Sequence, residues 1–323
     1  MKLKITLYSV CLLMLLAACQ QDGPTPEPSV GSRTVLVYMI AQNSLAPLAS
    51  ADIEEMKEGM RQVDATSGNL LVYIDDYSAP RLIRLGKDKK GKVVEETIEN
   101  YPEQNSADAN VMKKVISTAF NQYKAEKYGM VFWSHGEGWI PSPAKTRWFG
   151  QDGNNYMDIA DLHAALQVAP DLDFLFFDAC FMEAVEVAYA LRDCGSYLIS
   201  SPTEIPGPGA PYQTVVPAMF SAENAALKIA SCYYDYYQSR YNDGIGMSNE
   251  DWTGGVSVGV AKMSELENLA VATSKVLPRY ITGKQNFDLS GVMCYDRRTD
   301  KQYYYGEFYQ FNLSSCIRQQ NSL

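Results

Sequence analysis

Two short motifs carry groups that could do chemistry together. Ser134-His135-Gly136 closes the apolar run Gly129-Met130-Val131-Phe132-Trp133, and Asp178-Ala179-Cys180 closes Phe174-Leu175-Phe176-Phe177. An imidazole beside a thiol can take its proton and leave a nucleophilic thiolate. A helix is expected to start at Phe181, and its N-terminus would favour that thiolate. The glycine after His135 lets the backbone approach a substrate. The amides of Gly136 and Cys180 are then candidates for an oxyanion hole, at about 3–4 kcal/mol per donor in other enzymes. Against this, a strand-end cysteine is more often a small packed hydrophobe. What favours chemistry is that both motifs fall at equivalent strand ends. The chain has two histidines, and the other, His163, falls in a helical stretch without an obvious partner, as a solvated or packed side chain.

The elements that must position these groups follow from hydrophobic periodicity. Nearly continuous apolar strands are expected at 34–41, 69–76, 128–136, 173–180 and 196–202, with a hairpin-like alternation over 80–99 that turns near Gly91. Helices are expected over 47–62, 107–127, 157–166, 181–193, 222–240 and 263–278, and a further strand over 253–261. Apolar strands alternating with helices predict an α/β fold, a mostly parallel sheet with helices on both faces. In such sheets ligands bind outside the carboxyl ends of the strands, where His135 and Cys180 fall. No internal repeat stands out, and the last forty residues carry no clear assignment.

The 323 residues are 46% apolar and 20% charged, an ordinary globular composition, and the net charge of -10 argues against nucleic acid as a partner. The N-terminus reads as an export signal. Lys2 and Lys4 precede an apolar run from Ile5 to Leu16, too short to span a bilayer, and Leu16-Ala17-Ala18-Cys19 has the order of a bacterial lipobox. The expectation is a lipoprotein signal peptide over 1–18, lipid on Cys19 and a flexible tether over 19–33. The product would be an exported lipoprotein at the outer membrane or cell surface. Of seven cysteines, Cys11 leaves with the signal and Cys19 takes lipid. Five remain, and an odd number suggests a free thiol. The pairing of Cys194, Cys232, Cys294 and Cys316 stays open, and no Cys-x-x-Cys suggests a zinc ribbon or redox motif.

The segments VFWSHGEGW and FLFFDACFMEAVEVAYALRD, with the histidine 45 residues before the cysteine, resemble the clostripain family of cysteine peptidases. The likeness extends to TVLVYMIAQNSL, SSPTEIPGPGAPY and GGVSVGVAKMSELENL, so it covers most of residues 33–280. It implies a caspase-like fold, shared with caspases, gingipains and legumains, over a peptidase domain of residues 34–290, with 291–323 unmatched. It implies His135 as general base, Cys180 as the acylated nucleophile and Asp178 as the carboxylate that receives an Arg or Lys side chain before the scissile bond. A second reading of Asp178 is a buried acid hydrogen-bonded to loop amides. Some relatives cut themselves between the two motifs, which makes Lys145 and Arg147 candidate sites. Calcium is used within the family, but no acidic loop here has a ligand spacing, so neither a metal nor a cofactor is expected. The competing reading is a surface binding protein that keeps the scaffold without turnover. An α/β hydrolase ranks last, since no Gly-x-Ser-x-Gly elbow occurs. Physiological substrate and oligomeric state are open.

Overall fold

The computed structural model describes residues 31–64, 67–139, 148–248 and 251–280. In chain order the elements are β1 (Arg33–Ile40), α1 (Ala46–Met60), β2 (Gly68–Asp75), β3 (Arg81–Lys87), β4 (Val93–Asn100), α2 (Ala109–Gln122) and β5 (Lys127–Trp133). There follow β6 (Trp148–Asp152), β7 (Asn155–Asp158), α3 (Ile159–Leu166), β8 (Leu172–Asp178), α4 (Val185–Ala190) and β9 (Tyr197–Ser200). The last are α5 (Tyr212–Met219), α6 (Ala225–Gln238), β10 (Gly259–Lys262) and α7 (Leu266–Tyr280), the last preceded by a 3-10 turn at Met263–Glu265.

Eight strands form one sheet in the order β10-β9-β8-β5-β1-β2-β3-β4. The five inner strands from β9 to β2 run parallel, while β10, β3 and β4 add antiparallel at the edges. The central strands are apolar on both sides because both sides are covered. Leu36, Tyr38 and Ile40 of β1 pack with Met112, Ile116 and Phe120 of α2 and with Leu162 of α3. Val35, Val37 and Met39 point the other way, toward Ile53 and Met56 of α1, Val215 of α5 and Ile229 of α6. Helix starts are chemically marked where the sequence allows it. Asp108 accepts from the amides of Asn110 and Val111 at the start of α2, and Asp158 accepts from Ala160 at the start of α3.

The structure departs from the sequence reading in four places. The stretch after Cys180 is not helical until Val185, because the chain first turns through Phe181 at φ +63°. The segment before α3 forms a separate antiparallel hairpin, β6–β7, turned at Asp152-Gly153-Asn154-Asn155. Helix α5 lies in a stretch to which the sequence assigned no element, and it tolerates Pro217 in its interior. The strand expected over 253–261 is confined to β10, so residues 253–258 are loop.

Candidate active site

The sheet register sets His135 and Cys180 side by side. β5 and β8 are parallel neighbours, with Phe132 opposite Phe177 and Trp133 opposite Asp178. His135 and Cys180 each follow two residues later, at the carboxyl edge where ligands of parallel sheets bind. The two post-strand loops touch. A Cβ on Gly136 would stand 2.9 Å from the Cys180 carbonyl oxygen and 3.2 Å from the Met182 sulfur, so only glycine lets them approach this closely.

The β6–β7 hairpin clasps the histidine loop. Gly150 donates to the His135 carbonyl (2.9 Å) and Glu137 donates to the Trp148 carbonyl (3.1 Å), a bridge that centres on Gly136 and Phe149. These ladder bonds fall on either side of the Gly136 amide, which takes no part in them.

The half-buried His135 ring lies 2.8 Å, Nε2 to Oγ, from Ser44 on the other neighbouring strand end. Burial holds the imidazole below its ordinary pKa, with Glu137 pulling weakly the other way. The Ser44 turn is itself fastened, since Asn43 donates from Nδ2 to the carbonyls of Ile40 (2.9 Å) and Gln151 (2.7 Å). Ser134 Oγ donates to the Ile40 carbonyl at 2.8 Å, which ties β5 to β1 at the same place. Ser44 and Asn43 were missing from the residues singled out in the sequence. The signal was available, because the apolar strand at 34–41 also ends in a polar cluster, Gln42-Asn43-Ser44.

Cys180 is held by the loop after β9. The Ile205 amide donates to Cys180 Sγ at 3.4 Å, Phe181 N to the Thr203 carbonyl at 3.0 Å, and Glu183 N to the Ser201 carbonyl at 3.0 Å. The expected helix N-terminus beside the thiol is therefore absent, and the Ile205 amide is what faces the sulfur. A cleft of about 520 Å³ opens along this loop, between Thr203 and Glu204 on one side, Tyr234 of α6 and the segment Trp252–Ser257.

Asp178, the last residue of β8, is buried and accepts from the Ala210 amide (3.0 Å), Tyr212 Oη (2.9 Å) and Tyr233 Oη (3.3 Å). Burial raises its pKa to about 6 against the pull of those hydrogen bonds, and no cation contributes. Two more acids share this interior. Asp52 accepts from Trp133 Nε1 at 2.7 Å and is pushed by burial, then by Asp178, up to about 9. Glu55, which accepts from the Tyr212 amide at 3.1 Å, is also raised by burial. Burial thus favours the protonated form of Asp52, and among the described residues no cation lowers the Asp178 carboxyl. The loop above fits tightly, for a Cβ on Gly209, at φ +70°, would stand 2.7 Å from Asp178 Oδ2.

His163, expected to lack a partner, bonds Asp193 at 2.8 Å. Cys194 and Cys232 are free thiols. Lys145, Arg147, Cys19, Cys294 and Cys316 lie outside the described residues. Among the described residues, the one group of three potential metal ligands is His163, Asp193 and Cys194, and an imidazole and a thiol do not suit calcium, which takes oxygen. No helix among them is long and apolar enough to cross a membrane.

Solved structures similar to this chain include cysteine proteases. A secreted C11 cysteine protease of Bacteroides thetaiotaomicron, in complex with an irreversible peptide inhibitor, is 54% identical, with 82% of this chain and 73% of that one covered at a TM-score of 0.75. A B. fragilis cysteine protease is 91% identical over 54% of this chain and 69% of its own, at a TM-score of 0.50. Clostripain of Hathewaya histolytica is 28% identical over 217 residues, 56% of this chain. The chain spans about two-fifths of that clostripain's length, 41%. The chain shares the caspase-like α/β fold of these proteases, with a mostly parallel sheet and helices on both faces. The model of the clostripain family matches residues 37–322, and the chain belongs to that family.

Proposed function

We propose that the chain is a cysteine endopeptidase in which His135 is the general base and Cys180 the nucleophile. The observation that carries this is the register of β5 on β8, which gives the two residues equivalent positions at adjacent strand ends. The similarity to a protease solved with an irreversible peptide inhibitor supports the same chemistry.

In this reading the neutral imidazole takes the proton from Cys180 Sγ, and the thiolate attacks the scissile carbonyl carbon. The negative charge that develops on the carbonyl oxygen is received by the amides of Gly136 and Cys180. Collapse breaks the C–N bond, the imidazolium returns its proton to the leaving amine, and the acyl group stays on sulfur as a thioester. His135 then deprotonates the water that hydrolyses it.

Cleavage after Arg or Lys fits the buried acid two residues before Cys180. Asp178 is a buried carboxylate with no cation beside it among the described residues, so an entering guanidinium or ammonium would supply a countercharge. The carboxylate also anchors the 209–212 loop. A basic side chain must therefore share it with Ala210 and the two tyrosines. Self-cleavage after Lys145 or Arg147 and a lipid anchor on Cys19 belong to the same proposal, supported by sequence alone.

Fluorogenic peptides with Arg, Lys or Asp before the scissile bond test this reading on the protein lacking residues 1–30. Arg and Lys peptides should be cut and Asp peptides spared. Cys180→Ala and His135→Ala should each cost about three orders of magnitude or more in kcat/KM. Failure to cut Arg or Lys peptides, before or after limited proteolysis, in a sample whose Cys180 ignores a basic peptidyl electrophile, points instead to a surface binding protein.

A further inference from the structure

A second cluster of reactive side chains sits at the opposite edge of the sheet from Cys180. The last turn of α3 leads into the start of β8, and the turn after α4 leads into the start of β9, so both lie where the parallel strands begin. There, His163 Nε2 lies 2.8 Å from Asp193 Oδ1, and Cys194 Sγ lies 3.8 Å from that same oxygen. The Gln167 amide nitrogen stands 3.2 Å from His163 Nε2 and 3.7 Å from Cys194 Sγ. The imidazole, carboxylate and thiol atoms all lie within 4.8 Å of one another. Four heteroatoms from two separate elements thus converge on one small volume.

We propose that His163, Asp193 and Cys194 form a binding site for a divalent transition metal ion of the zinc class. The donor set decides the class. A thiolate and an imidazole select borderline-soft ions, whereas calcium and magnesium take oxygen donors. Tetrahedral zinc, bonded at about 2.0–2.3 Å, sets its ligand atoms roughly 3.3–3.8 Å apart. The sulfur–oxygen separation already falls in that range, and the histidine–aspartate pair needs to open only by the room an ion takes in place of a proton. The fourth position goes to water or to the Gln167 side chain, whose amide oxygen and nitrogen exchange places by a flip.

Binding releases one proton. Sulfur binds zinc as the thiolate, so the metal displaces the Cys194 proton to the buffer as the sulfur–metal bond forms. His163 binds as the neutral imidazole and Asp193 as the carboxylate. The ion would clamp α3 to the turn that enters β9. Its effect is on stability, since the site is remote from the Cys180 edge.

A Cys–His pair can itself hold zinc, so the test uses the Cys180→Ala protein. After chelator treatment it is titrated with Zn²⁺ by calorimetry and with Co²⁺ by absorbance, and its melting temperature is followed. The expected result is one equivalent of zinc, a thiolate-to-cobalt charge-transfer band and a rise in Tm that scales with zinc concentration. Adding Cys194→Ser should remove the band, and His163→Gln or Asp193→Asn should each weaken zinc at least about tenfold. The last two residues are not buried, so they keep the test valid if Cys194→Ser does not fold. A band that survives Cys194→Ser, no band in the parent, or zinc affinity unmoved by His163→Gln and Asp193→Asn each overturns the proposal.

Discussion

At the scale of single residues, the imidazole of His135 is held by contacts outside its own motif. Ser44 reaches it from the β1–α1 turn, and Asn43 fixes that turn to Ile40 and Gln151. A hydroxyl at 2.8 Å orients the ring without adding charge, and a hydrogen bond of this kind contributes about 1 kcal/mol. Ser44→Ala should therefore lower kcat/KM by about three- to tenfold and leave the melting temperature nearly unchanged. Loss of activity only in step with loss of stability would show that the contact is structural. Because burial lowers the imidazole pKa, the acid limb of kcat/KM should lie below pH 6.5, the ordinary value for histidine.

At the scale of elements, the loop from β9 to α5 links the nucleophile to the buried acid two residues before it. Ile205 touches the sulfur, while Gly209 and Ala210 cover Asp178. Gly209→Ala adds a methyl 2.7 Å from the carboxylate oxygen at a left-handed φ. Thermal unfolding should show a loss of about 1–3 kcal/mol, and cleavage of basic peptides should fall with it. An unchanged Tm would mean that the loop is looser than its contacts. The buried strands were legible from the sequence because runs such as Val35-Leu36-Val37-Tyr38-Met39-Ile40 have few other uses. The stretch Phe181–Asp193 was misread for a physical reason. Its residues favour a helix, but the chain must first turn at Phe181 to hand Phe181 N and Glu183 N to the 201–203 backbone. The β6–β7 hairpin carried a readable Asp-Gly turn, yet its strands of five and four residues gave too little alternation to outweigh the helix that follows. Of the site, both strand-end motifs were legible. Of Ser44 only the polar strand end was legible, because its pairing with His135 depends on β1 lying beside β5, which the strand order reveals.

At the scale of the whole molecule, buried acids govern the response to pH. Desolvation raises Asp52 to about 9 and Asp75 and Glu183 each to about 7. Asp75 is bonded by Ser106 Oγ, and Glu183 by Ser200 Oγ. A carboxyl whose pKa is higher folded than unfolded binds its proton more tightly in the native state. Between the unfolded value near pH 4 and the folded value, stability therefore falls as pH rises. The melting temperature should decline from pH 5 to pH 9, at about 2–4 °C for each kcal/mol lost. Asp52→Asn, which keeps an acceptor for Trp133, should flatten the upper part of that decline. A slope untouched by this substitution would assign the trend to the net charge of -10 instead.

The place of β1 in the middle of the sheet has a consequence for how the chain comes together as it folds. β2, β3 and β4 follow within 100 residues of the start and can add to one side of β1 by short connections. Its other side waits for β5, more than eighty residues downstream, and β8 and β9 can dock only after β5 has. Until then an apolar strand with unpaired amides and carbonyls stands open to any other extended chain. Closure of β5 onto β1 is the step that both hides this edge and first sets His135 beside Ser44, so protection from misassembly and the first part of the active site arrive together.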